Sequence, residues 1–232
     1  MESSNTQPLP SGHSSLLKLP AELRYEIYDY LGPWEHKSYP FGRLIVSSID
    51  RRAPPTALIA TCRYLHDDIL NHFYNTATIC TAPQIIPGDW PAYADAITTL
   101  ALRRIKKMEL RLYWHDRHKK LSSQELYADA GTCLNSMIVF LQREAKNLRT
   151  ITVSLSDILS VDWEINKRLL EPLKDLVPRV VLRLGEVIGL DDEKEARLRE
   201  LLQLHLDALN ETLPQPVEAE DPKQAVNTVN NE

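Results

Sequence analysis

Cysteine and glycine are scarce in this chain of 232 residues, and neither occurs in a pattern that builds a chemical site. The three cysteines are scattered, and no pair has the Cys-x-x-Cys spacing of a zinc knuckle or a redox pair. Cys62 and Cys133 fall on the apolar faces of predicted helices, so we expect buried, reduced thiols. Among the seven glycines, Gly185 and Gly189 lie closest together, and no phosphate-binding Lys-Ser or Lys-Thr follows them.

Long apolar segments are also lacking. No run approaches the ~20 residues that a membrane-spanning helix needs. The first residues have neither the basic nor the apolar region of a secretory signal. We therefore expect a cytoplasmic or nuclear protein with no membrane partner. The net charge of −5, with 43% apolar and 25% charged residues, is typical of a globular protein that can bury a sizeable core.

Signatures of catalysis and metal binding are absent as well. The chain contains no Gly-x-Ser-x-Gly, no His-Glu-x-x-His and no cysteine in a recognisable nucleophile setting. His115, Asp116 and His118 are close in sequence, but no second cluster completes the four ligands of a zinc site. We predict a protein that is not an enzyme, with no catalytic residues, no metal and no cofactor.

Polar segments bound the predicted ordered part of the chain. Residues 1–15 and 213–232 have little to bury, so we predict two disordered tails, the second of them acidic. Between them we predict two regions, a mainly helical region at 16–90 and a mixed region of helices and strands at 91–212.

Two amphipathic helices are predicted in the region 16–90. The first has Pro20 in its first turn and stops at Gly32 and Pro33. The second runs from Thr56, its predicted N-cap, to about residue 74, and residues 42–49 and 76–80 are predicted to be extended. The apolar faces follow helical spacing and consist of Leu23, Ile27, Tyr30 and Leu31 in the first helix and Leu58, Cys62, Leu65, Ile69 and Phe73 in the second.

Strands and helices alternate in the region 91–212. A helix from about Pro91 precedes the first strand, and a long helix with a capping box at Ser122 and Glu125 follows it. A helical segment at 162–177 is interrupted at Pro172, and a last helix starts at Asp191. The strands share an alternating spacing and centre on Met108, Leu110 and Leu112; on Ile151, Val153 and Leu155; and on Val180, Leu182 and Leu184.

The repeated strand and helix pattern allows two architectures. One is a set of degenerate leucine-rich-type units, and the other is a small parallel sheet built from strand-helix units. Both place helices against a short sheet. The predicted fold class is therefore α+β, with N-terminal helices packed on a small, mostly parallel sheet that is covered by helices.

Two blocks of sequence resemble the fungal F-box-like domain family. The first is Leu-Lys-Leu-Pro-Ala-Glu-Leu-Arg-Tyr-Glu-Ile-Tyr at 17–28. The second is Leu-Ile-Ala-Thr-Cys-Arg-Tyr-Leu at 58–65, followed by Phe-Tyr-Asn at 73–75. The resemblance covers residues 16–82 and continues more weakly over 91–115. The link between the two helices is longer than in a compact F-box.

The resemblance implies a protein-protein interaction protein. A true F-box docks on a Skp1-type adaptor of a cullin-RING ubiquitin ligase, and the rest of the chain recruits a target protein. Carried onto this chain, the docking residues are Leu19, Pro20, Leu23, Ile27 and Leu31. Two alternatives stay open: the same helix face packs into its own domain, or the protein is F-box-like without binding an adaptor.

A basic segment at 103–120 suggests a further alternative, because cations neutralise phosphates and aromatic rings stack on bases. The segment also contains Tyr113 and Trp114. A solvated charged face explains it better, and nucleic acid is not the favoured partner. Its cations are Arg103, Arg104, Lys106, Lys107, Arg111, Arg117, Lys119 and Lys120.

Overall fold

A computed structural model describes residues 15–31, 48–51, 54–82, 96–114, 123–157 and 162–211. Within these ranges the chain forms seven α-helices, two 3-10 helices (Ser15–Lys18 and Glu171–Asp175) and five strands. The helices are α1 (Ala21–Leu31), α2 (Thr56–Ile59), α3 (Arg63–Thr76), α4 (Ala96–Arg104), α5 (Ser123–Glu144), α6 (Trp163–Leu170) and α7 (Asp192–Asn210). The strands are β1 (Ser48–Ile49), β2 (Thr78–Thr81), β3 (Lys107–Trp114), β4 (Thr150–Asp157) and β5 (Val181–Ile188).

The five strands form one mostly parallel sheet in the order β1-β2-β3-β4-β5. β1 is antiparallel to β2, and each later pair is parallel. The predicted mixed fold with a mostly parallel sheet is confirmed. The repeated spacing predicts the wrong register for the last strand. It aligns Ile151 with Val180, whereas in the sheet Ile151 pairs with Leu182. Since β1 and β2 belong to the sheet, the region 16–90 supplies two of its strands.

One face of this sheet carries the core. Parallel strands in sequential order, joined by right-handed crossovers, place all the connecting helices on the same side. The apolar residues of the strands therefore pack in one cluster with α4, α5, α6 and α7. A row of Ile79, Met108, Ile151 and Leu182 crosses four strands and is almost fully buried. The opposite face of the sheet is polar and mostly only partly buried.

The N-terminal helices have a small core of their own. Tyr28 of α1 packs with Leu65 and Ile69 of α3, and parts of the first 3-10 helix and α2 cover the cluster. The last turn of α3 joins this unit to the sheet, because Phe73 and Tyr74 pack against the main core.

The second predicted helix is broken, which corrects three predictions. Residues 60–62 separate α2 from α3, and Cys62 is extended with φ −159° and ψ 161°. The Thr61 hydroxyl donates to the Leu58 carbonyl at 2.7 Å, a local bond that competes with continuation of a helix. The N-cap of α2 is Pro55 rather than Thr56. Because Cys62 lies in the break, its side chain is exposed, whereas Cys133 on α5 is buried as predicted.

The C-terminal helices follow the sequence closely. The interruption at Pro172 is confirmed, because α6 ends at Leu170 and continues as a 3-10 helix. Asp191 caps α7 by accepting from the Lys194 amide at 2.8 Å. The buried residues of α7 are Leu198, Leu202, Leu206 and Leu209, and Leu201 is partly buried. The capping box at Ser122 and Glu125 and the predicted helix start near Pro91 lie outside the described side chains.

A bulge between β4 and β5 requires a glycine. The register shifts between Val153 and Leu155, and the Ser154 hydroxyl accepts from the Glu186 amide at 3.0 Å. A Cβ atom on Gly185 would lie 2.3 Å from the Ser154 Oγ and 2.8 Å from a Thr152 methyl. By contrast, a Cβ atom on Gly131 of α5 would meet no atom within 4 Å.

These two glycines are a matched pair for a stability test. We expect Gly185→Ala to lower the free energy of unfolding by about 2 kcal/mol, because the new methyl group overpacks the bulge. Gly131→Ala should raise it by about 0.5–1 kcal/mol, because alanine is the better helix former. Urea unfolding followed by circular dichroism measures both. Equal effects of the two substitutions would contradict the bulge geometry.

A partly buried histidine lies between α6 and α7. The ring of His205 meets Trp163 edge-on with centroids 6.1 Å apart. Its Nε2 atom is buried and has no hydrogen-bond partner among the described residues. Burial lowers the pKa of His205, with Glu171 and Glu164 opposing the shift and Lys167 reinforcing it.

The lowered pKa predicts a loss of stability in mild acid. As the pH falls below the ordinary histidine value of about 6.5, the unfolded chain takes up a proton that folded His205 does not. The free energy of unfolding should therefore decrease from about pH 6.5 down to the lowered folded pKa. His205→Phe, which keeps an aromatic ring beside Trp163, should flatten this part of a urea-unfolding pH series. His66→Gln, on the surface of α3, is the control, and an equal flattening there would contradict the prediction.

Candidate partner-binding surface

A buried arginine joins the two sequence blocks at the N-terminus. Arg24 of α1 is only 8% exposed. Its Nε donates to the Asp68 Oδ2 on α3 at 3.0 Å, and its Nη1 donates to the Leu19 carbonyl at 2.7 Å. The Tyr28 hydroxyl donates to the same Asp68 Oδ2 at 2.9 Å, and Nη2 of Arg24 lies 3.4 Å from the Tyr64 hydroxyl. Each donor of this network therefore ties α1 to α3 or to its own preceding turn.

The electrostatics fit a permanent structural contact. The hydrogen bond that Arg24 donates to Asp68 raises the pKa of Arg24 above its ordinary value, although burial opposes the shift. Burial and then the hydrogen bond to Asp68 raise the pKa of Tyr28 as well. Both side chains therefore keep their protons across the working pH range. The pair orients α1 and offers no acid or base for catalysis.

Further polar contacts fix the far end of the same helix. The ring of Tyr25 stacks on His72 of α3 with centroids 4.3 Å apart. The His72 Nε2 lies 3.0 Å from the Asp29 Oδ1, and Arg51 Nη1 reaches the same carboxylate at 3.4 Å. The rotation of α1 about its axis is thereby set by contacts along most of its length.

This rotation decides where the predicted docking residues lie. Because Arg24 and Tyr28 point inward, the neighbouring apolar stripe is turned to the surface. Leu23 is 46% exposed and Leu31 is 49% exposed. Pro20 is exposed, while Leu19 and Ile27 are partly buried. We call the five residues Leu19, Pro20, Leu23, Ile27 and Leu31 the α1 stripe, and Tyr30, at 72% exposure, extends it.

The anchoring residues were the part of the site that sequence reasoning did not find. Arg24, Tyr28 and Asp68 were not assigned a role, because a charged residue in an amphipathic helix is normally placed on its solvent face. A signal was present, since Arg24 and Tyr28 are four residues apart and so share a helix face. The partner Asp68, 44 residues away from Arg24, has no such local marker.

The basic segment is partly neutralised inside the fold. Three of its five described cations are engaged. Arg103 binds Glu144 at 2.7 Å, and Arg104 lies over the ring of Tyr74. Arg111 donates twice to Glu109, at 2.9 and 2.8 Å. Lys106 and Lys107 are exposed, and residues 115–120 lie outside the described part.

A polar network lies at the centre of the open sheet face. Glu109 accepts from Arg111, from the Ser154 hydroxyl at 2.8 Å and from the Cys80 thiol at 3.1 Å. Burial alone would raise the pKa of Glu109, but these hydrogen bonds together lower it. Burial, and then the contact with Glu109, raise the pKa of the Cys80 thiol to about 11. Cys80 is therefore a neutral hydrogen-bond donor rather than a nucleophile.

A cleft of about 250 Å³ lies where β4 and β5 end, an edge at which parallel sheets often bind ligands. The described residues that line it include no serine, cysteine or histidine. Asp162 is already used, because it accepts from the Glu164 amide at the start of α6. The lining residues are Asp157, Asp162, Trp163, Gly189, Lys194, Arg197, Leu198 and Leu201.

Other recognisable features are few in the described part of the chain. Among the described residues, no three histidines, cysteines or carboxylates are grouped so that they could hold a metal ion. None of the described helices has the length and apolar character needed to cross a bilayer. Comparison with protein-family models, with curated proteins and with solved structures finds no match to this chain.

The buried ion pair generates a prediction. Asp68→Asn should lower the free energy of unfolding by about 3 kcal/mol, because it leaves the guanidinium of Arg24 buried without a counter-charge. Asp67→Asn is the matched control on the adjacent, exposed position, and its effect should stay below about 0.5 kcal/mol. Urea unfolding monitored by circular dichroism distinguishes the two. Similar values for both variants would show that Arg24 and Asp68 do not hold the helices together.

Proposed function

We propose that this protein is a non-enzymatic interaction protein that docks on a Skp1-type adaptor through the α1 stripe, as a substrate receptor of a cullin-RING ubiquitin ligase. It would act in the cytoplasm or the nucleus. The observation that carries the proposal is the exposure of the stripe. Leu23 and Leu31 lie at the surface of a helix that is held rigidly from its other face.

The contacts of Arg24 support docking rather than core packing. A helix whose apolar residues served only its own core would turn that stripe inward. Here the inward positions are taken by Arg24 and Tyr28, and two leucines are left about half exposed. Exposed apolar residues that are contiguous on one element are typical of protein-binding surfaces. A preorganised helix also loses little conformational freedom when a partner binds.

The resemblance supports the identity of the partner. The Leu-Pro turn and the helix that follows correspond to the part of an F-box that meets its adaptor. In this chain the Leu19 carbonyl accepts from Arg24, so the turn before the helix is fixed by the same residue that orients the helix.

The test is co-purification with a fungal Skp1-type adaptor. Leu23→Asp and Leu31→Asp should each weaken binding by about tenfold or more, because a charge is placed in an apolar contact. These exposed positions suit the test better than the partly buried Leu19 and Ile27. Leu204→Asp is the matched control, since Leu204 is a 60% exposed leucine on α7.

Circular dichroism should show that all three variants fold. Adaptor binding by the wild type and Leu204→Asp, with loss in both stripe variants, is the expected result. Equal binding by all four proteins would exclude the α1 stripe as the docking surface. A wild-type protein that binds no Skp1-type adaptor would overturn the proposed function itself.

A further inference from the structure

The amino-terminal ends of three neighbouring strands bring together cations that are far apart in sequence. Lys107 begins β3, Lys106 and Arg149 directly precede β3 and β4, and Arg183 lies in the first half of β5. All four are exposed. We call these four residues the basic edge.

The hydrogen bonds of the sheet fix their relative positions. The Arg149 amide donates to the Lys106 carbonyl at 2.9 Å, and the Val181 amide donates to the Arg149 carbonyl at 2.8 Å. Lys107 pairs in register with Thr150, which pairs with Val181. Arg183 lies two residues beyond Val181 on the same face of the sheet. Since adjacent strands are about 4.8 Å apart, the charges extend over roughly 10 Å across the sheet.

In the described part of the chain, the side chains of these cations make no contact that holds the fold together. Within the described part of the chain, the basic edge has no ion pair and no side-chain hydrogen bond. Glu144, a carboxylate near this end of the sheet, is already held by Arg103 and Arg143. Asp175, at the end of the second 3-10 helix, is exposed. Arg179 lies nearby and donates to the Leu141 carbonyl at 2.7 Å. Burial, and then repulsion from the charge of Arg149, lower the pKa of Arg179.

The chain has a net charge of −5. The basic edge is therefore a positively charged patch, unpaired within the described residues, on a negatively charged protein. We propose that the basic edge binds an acidic peptide segment of a partner protein. In an extended peptide, side chains on one face repeat at about 7 Å, so alternate carboxylates can meet cations on different strands. This inference does not depend on the α1 stripe.

An exposed apolar side chain beside these cations favours a peptide over a nucleic acid. Val181 is 42% exposed, pairs in register with Thr150 and lies two residues before Arg183. A peptide can place an apolar residue on it, whereas a phosphate backbone has no apolar group to offer. The residues that pair in register with Lys107 and Arg183 are Thr78, Thr150 and Thr152, and none of them is aromatic. Within the described residues the basic edge therefore lacks the stacking platform on which single-stranded nucleic acids depend.

The test uses the full chain and a fluorescent peptide, Asp-Glu-Asp-Val-Asp-Glu-Asp, in an anisotropy titration. We expect saturable binding that weakens as salt is raised, and no binding of the Asn-Gln-Asn-Val-Asn-Gln-Asn peptide. Lys107→Glu combined with Arg183→Glu should weaken binding by about tenfold or more. Arg168→Glu combined with Arg197→Glu is the control, because it changes the net charge equally on the exposed surfaces of α6 and α7.

Further variants separate the peptide from a nucleic acid. Arg149→Glu alone should weaken peptide binding. Val181→Thr should weaken peptide binding by about threefold, although it leaves the four cations in place. Single-stranded and duplex oligonucleotides are titrated in parallel. Tighter binding of either oligonucleotide, lost in the Lys107→Glu and Arg183→Glu protein, would overturn the acidic-peptide assignment in favour of a phosphate backbone.

The remaining outcomes are equally decisive. Absence of saturable peptide binding, equal binding of the neutral peptide, or an equal loss in the control protein would each overturn the proposal. Leu23→Asp should bind the peptide like the wild type, because the α1 stripe lies on a different element. Failure of adaptor docking and failure of peptide binding are therefore read independently.

Discussion

The parallel order of β2 to β5 is the constraint on which most of the structure depends. Each strand follows its neighbour in the sheet, so each crossover returns on the same side. The helices therefore cover one face, and the apolar residues of the strands collect on it. Parallel sheets are usually covered on both faces. In this protein the second face is instead polar and carries its own hydrogen-bonded centre around Glu109.

The polar face of the sheet is held together by a hydrogen-bonded network of its own. Glu109 gathers donors from three strands, and Ser154 extends the same network to β5 by accepting from the Glu186 amide. At the outer edge, the side-chain amide of Asn210 accepts from the Leu182 amide at 2.9 Å and donates to its carbonyl at 2.8 Å. The end of α7 thus covers a backbone position that an exposed edge strand would present to another chain. Among the described residues, the cations at the amino-terminal ends of the strands have no such partners.

The N-terminal unit uses a different device. Its core is small, and a few apolar contacts do not by themselves fix the orientation of α1. The ion pair between Arg24 and Asp68 fixes that orientation. A buried charge requires a specific partner, so the ion pair favours the rotation of α1 in which Arg24 meets Asp68. That selection leaves Leu23 and Leu31 outside. The proposed docking surface is in this sense a consequence of an electrostatic contact on the reverse side of the helix.

Local chemistry determined much of what the sequence by itself could predict. Alternation at period two located β3, β4 and β5, and Pro172 located the break after α6, because these signals depend on residues that are neighbours in the chain. Local signals missed the break at residues 60–62 and wrongly predicted the burial of Cys62, because the Thr61 hydroxyl bond competes with continuation of the helix. Only the tertiary structure decided that Asp68 meets Arg24 and that Lys107, Arg149 and Arg183 share one edge. Those contacts join residues about thirty or more positions apart, and packing rather than periodicity determines which of them meet.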